Sequence, residues 1–304
     1  MKLREFLHSP PPLHGFVAET NGIVYGRLTP RREALARAER EPLPPGWFEL
    51  GPVGVLHVDR QLLGAAASAV IRRLEKAPTR ATLVVPNAWV RNVVIDVGEL
   101  PRARSEAEEA VRWRLKKLLP CRPEEVRLDY TSIGDNGRLW VILALDRPLA
   151  MVEETFAAAG VRLGRIEPTV VALSSLLSSH GKPQLLVSVD ARTLAMLYVR
   201  DGRTRLVRQK LIPGLATQAE AVVLRELSAT LASIPDLKEG AGGLHIMLAT
   251  SAEAMKEALQ EWASRTEGAE VHVLETDAAR ITSLPASSPI SLWSLLATAW
   301  RGEN

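Results

Sequence analysis

One cysteine, Cys121, stands among 304 residues. It excludes an intramolecular disulfide framework and any multi-cysteine metal site, and a lone thiol suits a reducing compartment, most simply the cytosol. Charge of one sign is also missing. Lys and Arg number 38 against 35 Asp and Glu, a formal net charge of +3, so no whole-molecule field argues for nucleic acid. No apolar run reaches the roughly 20 residues of a membrane span; ISLWSLLATAW comes nearest and is too short. The opening MKLREFLHSPPPLHG lacks the apolar core and small-residue cleavage site of a secretory signal. The expectation is a soluble cytosolic chain, free to work beside a membrane.

The common chemical signatures are missing too. There is no Gly-x-x-x-x-Gly-Lys-Ser/Thr, no Gly-x-Gly-x-x-Gly, no His-Glu-x-x-His or His-x-x-x-His spacing, and no Gly-x-Ser-x-Gly elbow. Ser178-Ser179-His180 ends an apolar helix and reads as its polar terminus. The pair Glu153-Glu154 reads as a solvated helix face.

What is present is an ordinary globular mix, 46% hydrophobic and 24% charged, long enough for two domains. GFVAE and IVYGRL read as strands joined through Asn21-Gly22, a pair suited to a tight turn. EALARAER favours helix by propensity, and EPLPPGW stops it. Val58 to Ala77 reads as an amphipathic helix capped by Asp59. ATLVVP and VRNVVIDV follow as strands. In SEAEEAVRWRLKKLLP, Ser105 and Glu108 have capping-box spacing, Val111, Leu115 and Leu118 form an apolar stripe, and Pro120 ends the helix. Trp113 lies opposite that stripe. EVRLDYTSI and RLWVILALD pair about GDNG, RPLAMVEETFAAAG is a helix stopped by Gly160, VRLGRIEP is a strand, and TVVALSSLLSSHG is a buried helix. The pattern then restarts with LLVSVD, LAMLYV and TRLVRQKL, followed by a long helix ending before Pro235, LHIMLAT, SAEAMKEALQEWAS, AEVHVLE and ISLWSLLATAW. Two halves that each begin with a strand meander feeding helices point to two related lobes.

Strand–turn–strand pieces can hold phosphates with backbone N–H groups where small residues allow close approach. The first turn, AETNG, offers Asn21 and Gly22; the second, VDARTL, offers Asp190, Arg192 and Thr193 but no glycine. Period-two alternation puts Arg203 and Arg205 on one strand face and Arg208 and Lys210 on the other, a solvated hairpin rather than a nucleic-acid surface. Trp113 sits among Arg112, Lys116 and Lys117. Two readings stand for it: contact with a partner or anionic lipid, or packing within its own lobe.

EAVRWRLKKLLPCRPEEVRLDY resembles the signature of the PilM family of type IV pilus assembly proteins through Glu109, Val111, Trp113, Pro120, Glu124, Glu125, Val126, Asp129 and Tyr130. PLPPG, VDRQLLGAAASAVIRRL and LVVPNAWVRNVVIDVGELP precede it in the family order. LLVSVDARTLAMLYVRDGRTRLVRQKLIPG resembles the family's second phosphate-binding meander, and ISLWSLLATAWR its C-terminal helix. The resemblance implies an α/β, actin-like two-lobed fold of duplicated ribonuclease-H-like lobes, related to FtsA and to cytoplasmic domains of type II secretion proteins. It divides the chain into a first lobe at 1–94 completed by 166–182, an inserted α+β subdomain at 95–165, and a second lobe at 183–304 whose helical part is shortened between Gly214 and Gly243. EALARAER becomes a strand. The implied role is a cytoplasmic scaffold, peripheral to the inner membrane, holding the tail of a PilN-like membrane protein in a groove near the insert. Other pilus platform proteins are further implied partners, and oligomerisation stays open. Trp113, Lys116 and Lys117 are the partner-contact candidates.

The implied cofactor is ATP with Mg, and the candidate nucleotide residues are Asn21, Gly22, Asp190, Arg192, Thr193, Thr250 and Ser251. Each loop departs from the family pattern. VAETNG has no aspartate, DARTL has no glycine, and Thr250-Ser251-Ala252 stands where Gly-Gly-Gly is expected, with Gly242-Gly243 before the strand instead. The reading is a scaffold with a degenerate nucleotide site, no catalytic residue and no metal ligand. The alternative is an active actin-like ATPase with Asp190 and Thr193 at the phosphates. Basic residues after Trp113, where the family is acidic, imply an acidic partner tail.

Overall fold

The structure, a computed structural model, describes residues 11–133, 137–177, 181–190, 192–212, 216–234, 243–250, 252–266, 268–275 and 289–298. The chain opens with an antiparallel meander of β1 (His14–Glu19), β2 (Gly22–Leu28) and β3 (Leu35–Pro42). EALARAER is therefore strand, not helix: β2 offers β3 seven paired positions, and that pairing outweighs local helical propensity. A small hairpin of β4 (Phe48–Gly51) and β5 (Gly54–Val58) leads into α1 (Arg60–Arg72). Asp59 caps α1 as expected, accepting from the Gln61 and Leu62 amides at 2.9 Å each. β6 (Arg80–Val85) then runs parallel to β1.

Between β6 and the last strand of this sheet, β10 (Arg162–Pro168), the chain builds a third sheet from β7 (Arg91–Asp96), β8 (Val126–Ile133) and β9 (Arg138–Leu145), in the order β7-β9-β8. The helix α2 (Arg104–Leu115) covers one face of it through Val111 and Leu115. The expected boundary at 94 falls inside β7, and that at 165 inside β10. The helix α3 (Asp146–Ala158) returns to the first sheet and packs beside α1, and Gly160 ends it at φ +85°. A short α4 (Thr169–Leu173) follows, ending in one 3₁₀ turn at Ser174–Leu176, so among the described residues the buried helix expected there stops before Leu177.

The second half repeats the plan. β11 (Gln184–Val189), β12 (Thr193–Arg200) and β13 (Arg203–Leu211) form an antiparallel meander. α5 (Ala216–Ala232), β14 (Leu244–Thr250), α6 (Glu253–Ser264), β15 (Ala269–Val273) and α7 (Pro289–Ala297) complete it. The sheet orders are β10-β6-β1-β2-β3 and β13-β12-β11-β14-β15, the same topology twice.

Three expectations need correction. Ser105 and Glu108 form no capping box: α2 starts at Arg104, Ala103 is its cap, and no side chain bonds the first turn. Glu108 instead pairs with Arg112 at 2.9 Å. Leu118 is not core; α2 ends at Leu115, five residues before Pro120, and Leu118 is 46% exposed in the turn beyond. Arg203 does not oppose Arg208 and Lys210. A bulge at Arg205 shifts the register, placing Arg203 on their face.

The apolar core has a layered plan. α1 and α3 cover one face of the first sheet around Phe16, Tyr25 and Phe156, while α5 and α6 cover the outer face of the second. Between the two sheets lie α4 and α7, in one cluster that joins Val17 and Val24 of the first sheet to Leu186 and Leu197 of the second. Gly15 pairs directly with Gly26 across β1 and β2. A Cβ at either position would stand 2.6 or 2.7 Å from a methyl of Leu295 on α7. Two glycines thus form a notch, and Leu295 fills it. Among the described residues, no helix is long and apolar enough to cross a membrane.

Candidate functional site

The first of the turns expected to hold phosphate joins β1 to β2 at Thr20–Asn21. Its groups are already engaged within the chain. The Arg40 guanidinium donates to Asn21 Oδ1 at 2.8 Å and to Glu19 at 3.0 Å, and Trp47 Nε1 donates to the carbonyls of Glu19 and Thr20 at 3.1 Å each. Glu19 also accepts from Ser291 of α7 at 2.6 Å. Gly22 leaves little room for a ligand, because a Cβ there would lie 3.0 Å from the Arg40 guanidinium and 2.8 Å from the Glu41 carbonyl.

The second turn joins β11 to β12. Asp190 Oδ1 accepts from the Arg192 amide at 3.0 Å, and its backbone amide donates to the Thr193 carbonyl at 3.0 Å. Burial pushes the Asp190 carboxyl above its ordinary range, an effect only partly offset by the amides of Arg192, Thr193 and Asn87 that face it. Thr193 is wholly buried. Thr250 is buried at the end of β14, and its Oγ1 accepts from the Ala252 amide at 3.3 Å just before α6. Ser251 and the Ser178-Ser179-His180 run lie outside the described residues.

A polar hub between the lobes went unread in the sequence. Asn87, following β6, donates to Ser188 Oγ of β11 at 3.3 Å and accepts from the Val170 amide at 2.8 Å. Gln209 of β13 donates to the Asn87 and Val90 carbonyls at 2.7 and 3.0 Å and accepts from the Asn92 amide and side chain at 3.0 and 2.6 Å. Asn92 in turn accepts from Trp140 Nε1 at 2.7 Å. The available signal was weak: a lone Ser inside LLVSV and a Gln inside an Arg-rich strand. The expected solvated hairpin is also more engaged than its composition suggests, since Arg208 donates to Thr230 at 2.9 Å and Lys210 pairs with Glu226 on α5.

Two surfaces open on the third sheet. One is a groove of about 260 Å³ between the outer edges of β8 and β10, floored by Leu128, Ile142, Leu163 and Ile166. Among the described residues, β8 pairs only with β9 and β10 only with β6, so both groove edges are unpaired. Arg127 at its rim pairs with Asp146 and, at 2.8 Å, with Glu153; burial pulls its guanidinium downward, and the two carboxylates together outweigh that and hold it above its already high range. The other surface lies at the β7 edge. Trp113 is 65% exposed there beside Val94, Leu118, Lys116 and Lys117, with the Arg114 guanidinium 5.3 Å from its ring centroid. Trp113 is thus on the surface, and the structure sets it apart from the β8–β10 groove. Arg112 turns the other way and donates to the carbonyls of Pro123 and, at 3.0 Å, Val126, which ties the Pro-Cys-Arg-Pro turn to α2.

Neither the protein-family models nor the curated proteins contain a match to this chain. Solved structures do. A chain of the PilM–PilN type IV pilus biogenesis complex is similar with a TM-score of 0.72 and 18% identity, covering 97% of this chain and 100% of that one. A protein from Bacteroides thetaiotaomicron with an actin-like ATPase fold is similar with a TM-score of 0.51 and 12% identity, covering 85% of this chain and 90% of that one. The duplicated 3-2-1-4-5 sheets, the helices packed between them and the extra sheet set into the first half are therefore an actin-like fold, similar along nearly the whole chain to a protein of the PilM–PilN complex.

Proposed function

We propose that this chain is an adaptor of a type IV pilus or related secretion machine, and that the β8–β10 groove receives the cytoplasmic tail of an inner-membrane partner of the PilN kind. One observation carries the reading: two unpaired strand edges face each other across an apolar floor. An extended peptide entering there adds a strand to one edge through backbone hydrogen bonds, and alternate side chains fill the floor. The insert, spanning β7 to α3, is on this reading the partner-binding subdomain, and the two lobes are its frame. The chain then works in the cytoplasm and reaches the inner membrane through its partner. Trp113, Lys116 and Lys117, on the far edge of the same sheet, supply a second contact for an acidic segment of the platform.

The three nucleotide loops support the adaptor reading. Arg40 fills the space that Gly22 leaves, Asp190 turns inward onto amides, and no glycine opens the second or third loop. These residues do not fit a Mg–ATP cradle. The opposing reading, an ATPase with Asp190 and Thr193 at the phosphates, requires Mg-dependent hydrolysis that disappears in Asp190→Ala.

The test is fluorescence anisotropy with a labelled peptide copying the cytoplasmic tail of the PilN-like partner. Ile166→Asp, at the half-buried groove floor, is expected to weaken binding at least tenfold, with a lowered melting temperature because Ile166 also packs against the first-lobe core, so the titration is run well below that temperature. Binding unchanged by Ile166→Asp removes the groove from the proposal.

A further inference from the structure

The first sheet carries an electrostatic anomaly at the end opposite its phosphate turn. His14 of β1 pairs directly with Arg27 of β2, and Arg27 pairs directly with Arg37 of β3. Arg80 begins β6 and pairs with Arg162 of β10. Like charges directly opposite each other destabilise a sheet. Arg37 is compensated by Glu39 at 2.9 Å and by the Arg73 carbonyl at the end of α1 at 2.6 Å. Arg27 and Arg80 form no ion pair among the described residues, and neither does Lys76.

These cations converge on a cavity. The loop from Leu74 to Thr79, which follows α1, stands over the sheet and encloses about 480 Å³ lined by His14, Tyr25, Arg27, Arg37, Lys76 and Arg80. Among the described residues, Glu75 is the only carboxylate in that lining. At its base His14 Nδ1 and Tyr25 Oη are 2.7 Å apart. Burial pushes the Tyr25 hydroxyl up to about 12, which keeps it a neutral hydrogen-bonding group. The volume falls within the range of small-molecule pockets, ~300–1,000 Å³, and guanidinium forks match phosphate oxygens in shape and charge.

We propose that this cavity binds a small polyphosphorylated anion, gripped by Arg27, Arg80 and Lys76 and oriented by the His14–Tyr25 pair. The site belongs to the first lobe alone. It opens at the sheet end opposite the first turn, with residues separate from those lining the partner groove, although the Arg80 guanidinium passes close to Gly164 of that groove. Its concavity favours a small ligand over a nucleic acid, which would need a cationic stripe along the surface.

Inorganic pyrophosphate is the probe, titrated calorimetrically without Mg into the whole protein at constant ionic strength. Saturable binding is expected, weakened at least tenfold in Arg27→Gln combined with Arg80→Gln. Both guanidiniums are exposed, so circular dichroism and the melting temperature of the unliganded variant should match wild type. Lys76→Gln, on the loop, provides an independent weakening if the double variant folds poorly. No saturable binding, binding untouched by these substitutions, or equal binding of sulfate would each overturn the site. Binding to phosphatidic-acid vesicles without binding to pyrophosphate would overturn the small-ligand assignment. Asp190→Ala should leave pyrophosphate affinity unchanged, and its loss in that variant would move the ligand to the phosphate turns.

Discussion

Asp190 is the residue at which the nucleotide question and the stability question meet. Its carboxyl is buried and pushed upward, so the folded chain holds the proton more tightly than the unfolded chain does. Its contribution is therefore least unfavourable below the ordinary carboxylate range and worsens as pH rises through the raised value. Asp190→Asn should raise the melting temperature at pH 7 by a few degrees, and that gain should vanish below about pH 4. Thermal melts across that interval check it, since a pH-independent gain would trace to something other than the charge. At the same scale Asp59→Ala should cost about 1 kcal/mol in urea denaturation through loss of the α1 cap.

At the scale of elements, α7 is the part whose packing is most specific. Leu295→Ala should destabilise by about 2–5 kcal/mol, since it empties a notch that two glycines form. Gly26→Ala alone should also destabilise, by ~1–3 kcal/mol, because its Cβ would meet Leu295. The double variant should be less destabilised than the sum of the two, and chemical denaturation of all four proteins measures that coupling. Elements were also where the sequence was most legible. Strongly periodic segments such as α1, α3 and the β11–β13 meander follow from hydrophobic spacing and turn residues. β3 does not, because Ala and Glu favour helix until β2 presents an edge to pair with. The Ser105–Glu108 capping box failed for a related reason: Arg112, four residues on, competes for Glu108 while it also holds the turn before β8. The bulge at Arg205 carries no signal in a strand that alternates normally on either side.

For the whole molecule, Gln209 is the link between halves. It joins β13 of the second sheet to the segment that leads from β6 into β7. Gln209→Leu strands two carbonyls, the Asn92 backbone amide and the Asn92 side-chain amide, at ~1–3 kcal/mol for each group left unsatisfied. Hydrogen exchange at the Asn92 amide should rise, while amides of β1 and β14 keep their protection. Uniformly faster exchange would mean that the substitution unfolds the chain rather than loosening its halves. The duplicated lobes were legible from the repeated meander. The hub and the β8–β10 groove were not, because each assembles residues more than thirty positions apart, with no spacing that a sequence displays.

The notch filled by Leu295 also sets an order of events during synthesis. β1 and β2 leave the ribosome long before α7, with Gly15 and Gly26 facing an empty hollow. The leucine that closes it follows only after the strands of both sheets have been made. The part of the first sheet's inner face that α7 covers must therefore wait, uncovered by that helix, until the second sheet has been made. Nascent chains halted before α7 should be held by chaperones and cut readily by protease in β1–β2. Those released after it should resist the same treatment.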